Sequence, residues 1–210
     1  DRASGALYHD TLNTEGTALI GTEGRPIVQR GDAIGPHVVG ELFDLEWLRS
    51  GGTVHDNVVI ALDKSGVLVT SSPAWGTTSQ QLVVDGRWQE PVALAVYEEN
   101  LYIMDAGANQ IWRYVPSMGD RRYNRAPEEY FAGAEPPDLA GAVDFGSSAD
   151  EGGIYILYED GTIRKYQRSA QDFVEQRPFE SNQKPESAIA GGSALFIDND
   201  VTARYLYIAD

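Results

Sequence analysis

Leu101-Tyr102-Ile103-Met104-Asp105 returns, altered, as Ile154-Tyr155-Ile156-Leu157-Tyr158 and again as Leu206-Tyr207-Ile208-Ala209-Asp210. A short strand phrase recurring about every 50 residues marks a radial repeat of small antiparallel sheets, a β-propeller with four-stranded blades. Around the first copy the reading is detailed. Val92 to Tyr97 is apolar and mostly small, as suits an inner strand buried on both faces, and Glu98-Glu99-Asn100 turns the chain into Leu101 to Asp105. Ala106-Gly107-Ala108-Asn109 supplies residue types that accept a left-handed backbone. Gln110 to Val115 then alternates polar and apolar, the pattern of a half-exposed strand, and a fourth strand is expected at Tyr130-Phe131-Ala132.

The same design extends along the chain. The next blade reads Ala142 to Phe145, Gly153 to Tyr158, a Glu159-Asp160-Gly161 turn and Thr162 to Tyr166; Asp-Gly between apolar runs is a strong hairpin signal. The blade before it reads Leu42 to Trp47, Val58 to Leu62, a Ser65-Gly66 turn, Val67 to Thr70 and Gln81 to Val84. A first blade is expected from Ala6-Leu7-Tyr8, Ala18 to Gly21, Pro26 to Gln29 and His37 to Val39, and a fifth opens with Ala194 to Ile197 and Leu206 to Asp210. The sequence is therefore expected to hold one all-β domain, residues 1–210, of about four and a half blades, six-bladed if complete. Propellers avoid open edges, so an unfinished blade reads as a fragment, or as a ring whose missing strands come from the same or another chain.

Composition narrows the partners. With 32 acidic against 16 basic residues the net charge is −16, which repels phosphate backbones and anionic lipid. Nucleic acid is excluded as an expected partner, and no apolar run approaches the ~20 residues that span a bilayer. Cysteine is absent, so disulfide and thiol chemistry are excluded, and the compartment is left open.

Leu101 to Tyr114 resembles the NHL repeat, in which an aromatic-rich strand ending in Asp meets a Gly/Asn turn and an Ile-centred strand. A longer stretch, including Gly21 to Gly31 and Pro91 to Tyr114, resembles the propeller region that follows PPM-type serine/threonine phosphatase domains in some bacterial proteins. The resemblance implies a non-catalytic sensory or scaffold module of a larger bacterial protein and favours an extracytoplasmic location. The phosphatase's metal-binding aspartate motifs are not found, so no phosphatase activity is implied.

The candidate residues are few. Asp105 and Asn109, beside a blade turn, could bind a ligand or Ca²⁺, but the repeat favours a structural role in capping the turn. Asp44, Glu46 and Asp144, with Asp198 as a further candidate, lie in inner strands expected to line a central channel. Converging carboxylates there could hold a hard cation, against the plainer reading of solvated acids. No metal or other cofactor is expected, Ca²⁺ being the one open alternative. His9, His37 and His55 are isolated in sequence, and without cysteine or a Gly-x-Ser-x-Gly elbow hydrolysis has no motif behind it. Arg121, Arg122 and Arg125 flank Tyr123 ahead of Tyr130 in the irregular stretch from Pro116 to Pro137. Arg and Tyr are enriched at binding hot spots, which makes this loop the candidate partner site. Trp47, Trp75, Trp88 and Trp112 read as packing between sheets ahead of a sugar platform. The expected function is ligand or protein binding without catalysis. A Ca-dependent enzyme acting on a sugar or lactone, and an assembly protein using open blade edges, are the alternatives.

Overall fold

A computed structural model describes residues 6–8, 11–12, 19–20, 26–49, 57–72, 75–118, 122–132, 137–148, 153–168, 174–177, 191–198 and 205–209. The chain divides into two compact units, Asp1–Leu82 and Val83–Asp210. The described residues form strands and turns, with no helix among them.

The first unit opens with short strands: β1 (Leu7–Tyr8), β2 (Thr11–Leu12), β3 (Leu19–Ile20), β4 (Pro26–Val28), β5 (Ala33–Ile34) and β6 (His37–Val38). They pair as three separate two-stranded ladders, β1 with β4, β2 with β3 and β5 with β6. The four-stranded first blade expected from sequence is therefore not formed by these strands. Runs of two or three residues give too few ladder bonds to extend a sheet, and Pro26 has no amide to donate. Leu7, Val28 and Val39 instead pack on Val67 and Val69 of the sheet that follows.

That sheet is complete. β7 (Leu42–Arg49), β8 (Asn57–Asp63), β9 (Val67–Ser72) and β10 (Gly76–Gln81) are joined in sequence order, all antiparallel. Its outer strand is Gly76–Gln81, not Gln81 to Val84 as the apolar letters suggested. An outermost strand faces solvent, so Thr77, Thr78 and Ser79 serve there, while Leu82 turns inward and donates its amide to Gly66 O (2.9 Å).

The second unit repeats the plan. β11 (Pro91–Tyr97), β12 (Asn100–Asp105), β13 (Gln110–Tyr114) and β14 (Glu128–Glu129) form one four-stranded sheet. β15 (Ala142–Ser148), β16 (Gly153–Tyr158), β17 (Ile163–Arg168) and β18 (Val174–Arg177) form the next, and β19 (Ala194–Asp198) pairs with β20 (Tyr205–Ala209). Glu98 and Glu99 both take a left-handed backbone (φ 47° and 66°), the geometry of the two-residue hairpin turn whose twist matches its strands. The outer strand of the first of these sheets is Glu128–Glu129 rather than Tyr130 to Ala132. Tyr130 and Phe131 turn into the core instead, where Phe131 N donates to Gln110 Oε1 (3.0 Å).

Three details recur in register and show that the sheets are copies. A bulge falls at Leu42/Asp44, Pro91/Ala93 and Ala142/Asp144. The amide just after the second strand bonds back to the residue before the first: Lys64 to Glu41 O (3.1 Å), Ala106 to Glu90 O (3.0 Å), Glu159 to Gly141 O (2.8 Å). In the second unit β15 lies against both β11 and β19, so inner strand follows inner strand. Between the first two sheets, Ala93, Ala95, Tyr102, Met104 and Ile111 meet Phe145, Ile154, Ile156 and Tyr166 in one core. Each of these larger side chains contributes about 1.5–3 kcal/mol by leaving water. Edge-to-face rings run from Tyr102 through Tyr130 and Phe131 to Tyr166, with centroids 5.2–6.1 Å apart. Stacked four-stranded sheets with neighbouring inner strands are the blades of a β-propeller.

Candidate functional site

The buried carboxylates are bound into the scaffold. Asp105, at the end of β12, is fully buried and its oxygens accept four hydrogens: from Gln89 N (2.9 Å), Glu90 N (2.8 Å), Ala108 N (3.1 Å) and Trp112 Nε1 (3.1 Å). It therefore ties its own turn to the approach to β11. Asp63, at the same point of β8, does likewise with Gly40 N (2.6 Å), Ser65 N (2.8 Å), Ser65 Oγ (2.7 Å) and Val67 N (2.8 Å). The sequence reading passed over Asp63, although its place before the Ser65-Gly66 turn matches that of Asp105 before Ala106-Gly107. In β16 Tyr158 takes this position, and its hydroxyl donates to Asp138 O (2.9 Å). Asn109 is left-handed (φ 50°), and its Oδ1 accepts from Leu139 N (3.1 Å), joining the turn to the segment that leads into β15.

The inner-strand acids lie on β7 and β15. Asp144 is buried. Its Oδ1 accepts from Phe145 N (2.8 Å), and its Oδ2 accepts from Leu195 N (2.7 Å), 51 residues on, so it bridges one inner strand to the next. Asp44 and Glu46 are half-buried on β7, two positions apart and therefore on one face. The side chain of Asp198 lies outside the described residues. Among the described residues no three His, Asp or Glu side chains come together as a metal site would require.

The Pro116 to Pro137 loop is anchored from inside. The Tyr123 side chain is buried and its hydroxyl donates to Glu99 O (2.7 Å); Tyr130 is buried in the core between sheets. Ser117 N and Oγ both donate to Arg122 O (2.8 and 2.7 Å), which closes the start of the loop. Arg122 and Arg125 are exposed, and Arg121 lies outside the described residues. Of the five residues expected to meet a partner, the two tyrosines thus hold the loop and two arginines face solvent.

Other cations have fixed roles. Arg87 makes a two-pronged pair with Asp85 (2.8 Å for each bond), donates to Pro127 O (2.9 Å) and lies 4.9 Å over the Trp112 ring. The Arg87 hydrogen bonds hold the Asp85 carboxyl below its ordinary value. Arg113 pairs with Glu128 across β13 and β14. Burial raises the hydroxyls of Tyr114 and Tyr158 well above the usual tyrosine value. His37 Nδ1 lies 2.9 Å from Ser79 Oγ, which donates to Ile34 O (2.5 Å). With the serine hydrogen held by a carbonyl, this pair fastens the β5–β6 hairpin to β10. His9 and His55 lie outside the described residues. Trp88 and Trp112 are wholly or partly inside, whereas Trp47 and Trp75 are exposed.

The fold and these interior ties define a β-propeller repeat protein. No family model matches the chain, and no curated protein matches it. Among solved structures it is similar to a streptogramin B lyase, at 10% identity and a TM-score of 0.44, over 89% of this chain and 50% of that one. It is also similar to a candidate 6-phosphogluconolactonase from Bacteroides uniformis, at 12% identity and a TM-score of 0.42, over 84% of this chain and 66% of that one. The chain thus spans half the length of the lyase and just under two thirds of the second protein.

Proposed function

We propose that the chain is a non-enzymatic binding or sensory module, an NHL-like propeller within a larger bacterial protein of the phosphatase-associated kind. The observation that carries this reading is the loop after β13, in which buried Tyr123 and the Ser117–Arg122 bonds fix the backbone while Arg122 and Arg125 face outward. A guanidinium on an already ordered backbone loses less freedom on binding than one on a floppy loop. Catalysis by channel acids and Ca²⁺ is the weaker reading, because both Asp144 oxygens already accept amide hydrogens.

The test compares capture of partners from a bacterial extract by the wild-type chain and by an R122A/R125A variant, with thermal melting of each. A partner held by the wild type and lost by the variant at unchanged melting temperature is the expected result. Equal capture by both overturns the loop as the binding surface. A rise in melting temperature with added Ca²⁺ would favour the enzyme reading, since a ligand bound only by the native state stabilises it.

A further inference from the structure

The full chain carries two sulfur atoms, both in thioethers, Met104 and Met118, and no thiol. The fold separates them completely. Met104, on β12, is 0% exposed and lies in the core cluster that includes Tyr102, Ile111 and Phe145. Met118 is 102% exposed, as open to water as in an extended peptide. Methionine ordinarily fills irregular gaps in a core, and a single exposed apolar side chain needs no explanation by itself. What sets Met118 apart is the backbone that presents it and the absence of any other sulfur within reach of solvent.

Met118 directly follows Ser117, whose amide and hydroxyl both donate to Arg122 O (2.8 and 2.7 Å). The residue after Arg122, Tyr123, is buried, and its hydroxyl donates to Glu99 O (2.7 Å). The thioether therefore stands at the tethered start of the arginine loop, ahead of the exposed Arg122 and Arg125. Methionine and arginine are both enriched where partners meet, the first as an adaptable apolar contact and the second as a fork of donors.

We propose that Met118 is a reversible oxidation site for hydroperoxides, and that its conversion to the sulfoxide weakens binding at the arginine loop; the second part rests on the reading of that loop as a binding surface. A sulfur lone pair attacks one oxygen of the hydroperoxide, so that the S–O bond forms as the O–O bond breaks. Sulfur gives up two electrons, and the reduced fragment takes the proton of the transferred hydroxyl and leaves as water or an alcohol. No cysteine in the chain competes for the oxidant. For the same reason the return step draws its two thiols from a separate sulfoxide reductase; they close to a disulfide as the sulfoxide oxygen leaves as water. Oxidation replaces an apolar tip beside the arginines by a polar, chiral one. Because the Met118 side chain lies wholly in water, the core is not disturbed. Met104 can react only when the core opens.

Hydrogen peroxide added to the folded full chain, followed by peptide mass spectrometry over time, tests the site. Met118 is expected to gain one oxygen atom as fast as a methionine in an unfolded peptide, and Met104 at least about a hundredfold more slowly, with the melting temperature unchanged. Reductases for the two sulfoxide epimers should then restore the original mass of the Met118 peptide. Similar rates at the two methionines, or a Met118 that stays reduced, overturns the site. For the switch, the wild type and M118L, each before and after peroxide, are offered to a bacterial extract beside R122A/R125A. Leucine keeps an apolar contact but has no sulfur, so M118L is expected to hold its partner after peroxide while the wild type loses it. Equal capture by reduced and oxidised wild type, with the arginine dependence intact, overturns the switch and leaves the loop reading standing, as does loss of the partner by peroxide-treated M118L. A wild type with no arginine-dependent partner overturns the loop reading and the switch together, while the oxidation rates still decide the site.

Discussion

Replacing Asp105 by Ala removes the acceptor for four hydrogens at once. The Gln89, Glu90 and Ala108 amides lie in exposed or half-buried segments, where water can replace part of what is lost. Trp112 Nε1 cannot be rescued so easily, because its ring is buried beneath the Arg87 guanidinium. An orphaned buried donor costs about 1–3 kcal/mol, and partial losses at three amides bring the expected destabilisation to about 3–5 kcal/mol. Against a total stability of about 5–15 kcal/mol this is a large fraction. Urea unfolding followed by tryptophan emission reads it directly. With a slope of about 2 kcal/mol per molar urea, the midpoint should fall by roughly 2 M. Asp105→Asn keeps one acceptor oxygen but turns an amide NH₂ toward two donors, so it should fall between wild type and Asp105→Ala. Asp138, whose exposed carboxylate accepts from Ala140 N, is the control, and its Ala variant should barely move the midpoint. A loss below about 1 kcal/mol for Asp105→Ala, or equal losses for Asp105 and Asp138, would refute the reasoning.

Asp144→Ala should free the Leu195 amide, so hydrogen exchange there should speed up while exchange in β8 and β9 stays slow; unchanged protection at Leu195 would contradict the bridging role. Gly192→Ala places a Cβ 2.7 Å from Cγ and Cδ1 of Leu157, a fully buried side chain with no room to swing away, and should cost about 1–3 kcal/mol in a thermal or urea melt. Tyr114 and Tyr158 titrate higher folded than unfolded, so stability is whole below the unfolded value near 10.0 and falls as pH rises beyond it. Each contributes a slope of about 1.4 kcal/mol per pH unit, and Tyr114→Phe with Tyr158→Phe should flatten the alkaline limb; an unchanged limb would count against their burial. Asp85 titrates lower folded than unfolded, so its contribution is present above the ordinary carboxylate range and lost in acid. Arg87→Ala should therefore weaken the acid dependence of the melting temperature.

The sequence by itself determined the strands whose cause is local. Alternating apolar residues, the Ser65-Gly66 and Asp160-Gly161 turns and the Glu98-Glu99 reversal put the first three strands of each complete sheet within a few residues of where they lie. Period and turn chemistry act over neighbouring residues, so they can be read there. The outer strands could not be read in this way. Gly76–Gln81 and Glu128–Glu129 are polar because solvent meets them, while the apolar letters beside them belong to the core. Tertiary structure also decided what the acids do. Two of the four donors that meet Asp105 lie 16 and 15 residues upstream, and one of the two amides that meet Asp144 lies 51 residues downstream. It likewise turned Tyr123 and Tyr130 inward and left Arg122 and Arg125 outside. A side chain's letter shows which bonds it can make; the partner it meets is set by how sheets distant in sequence stack.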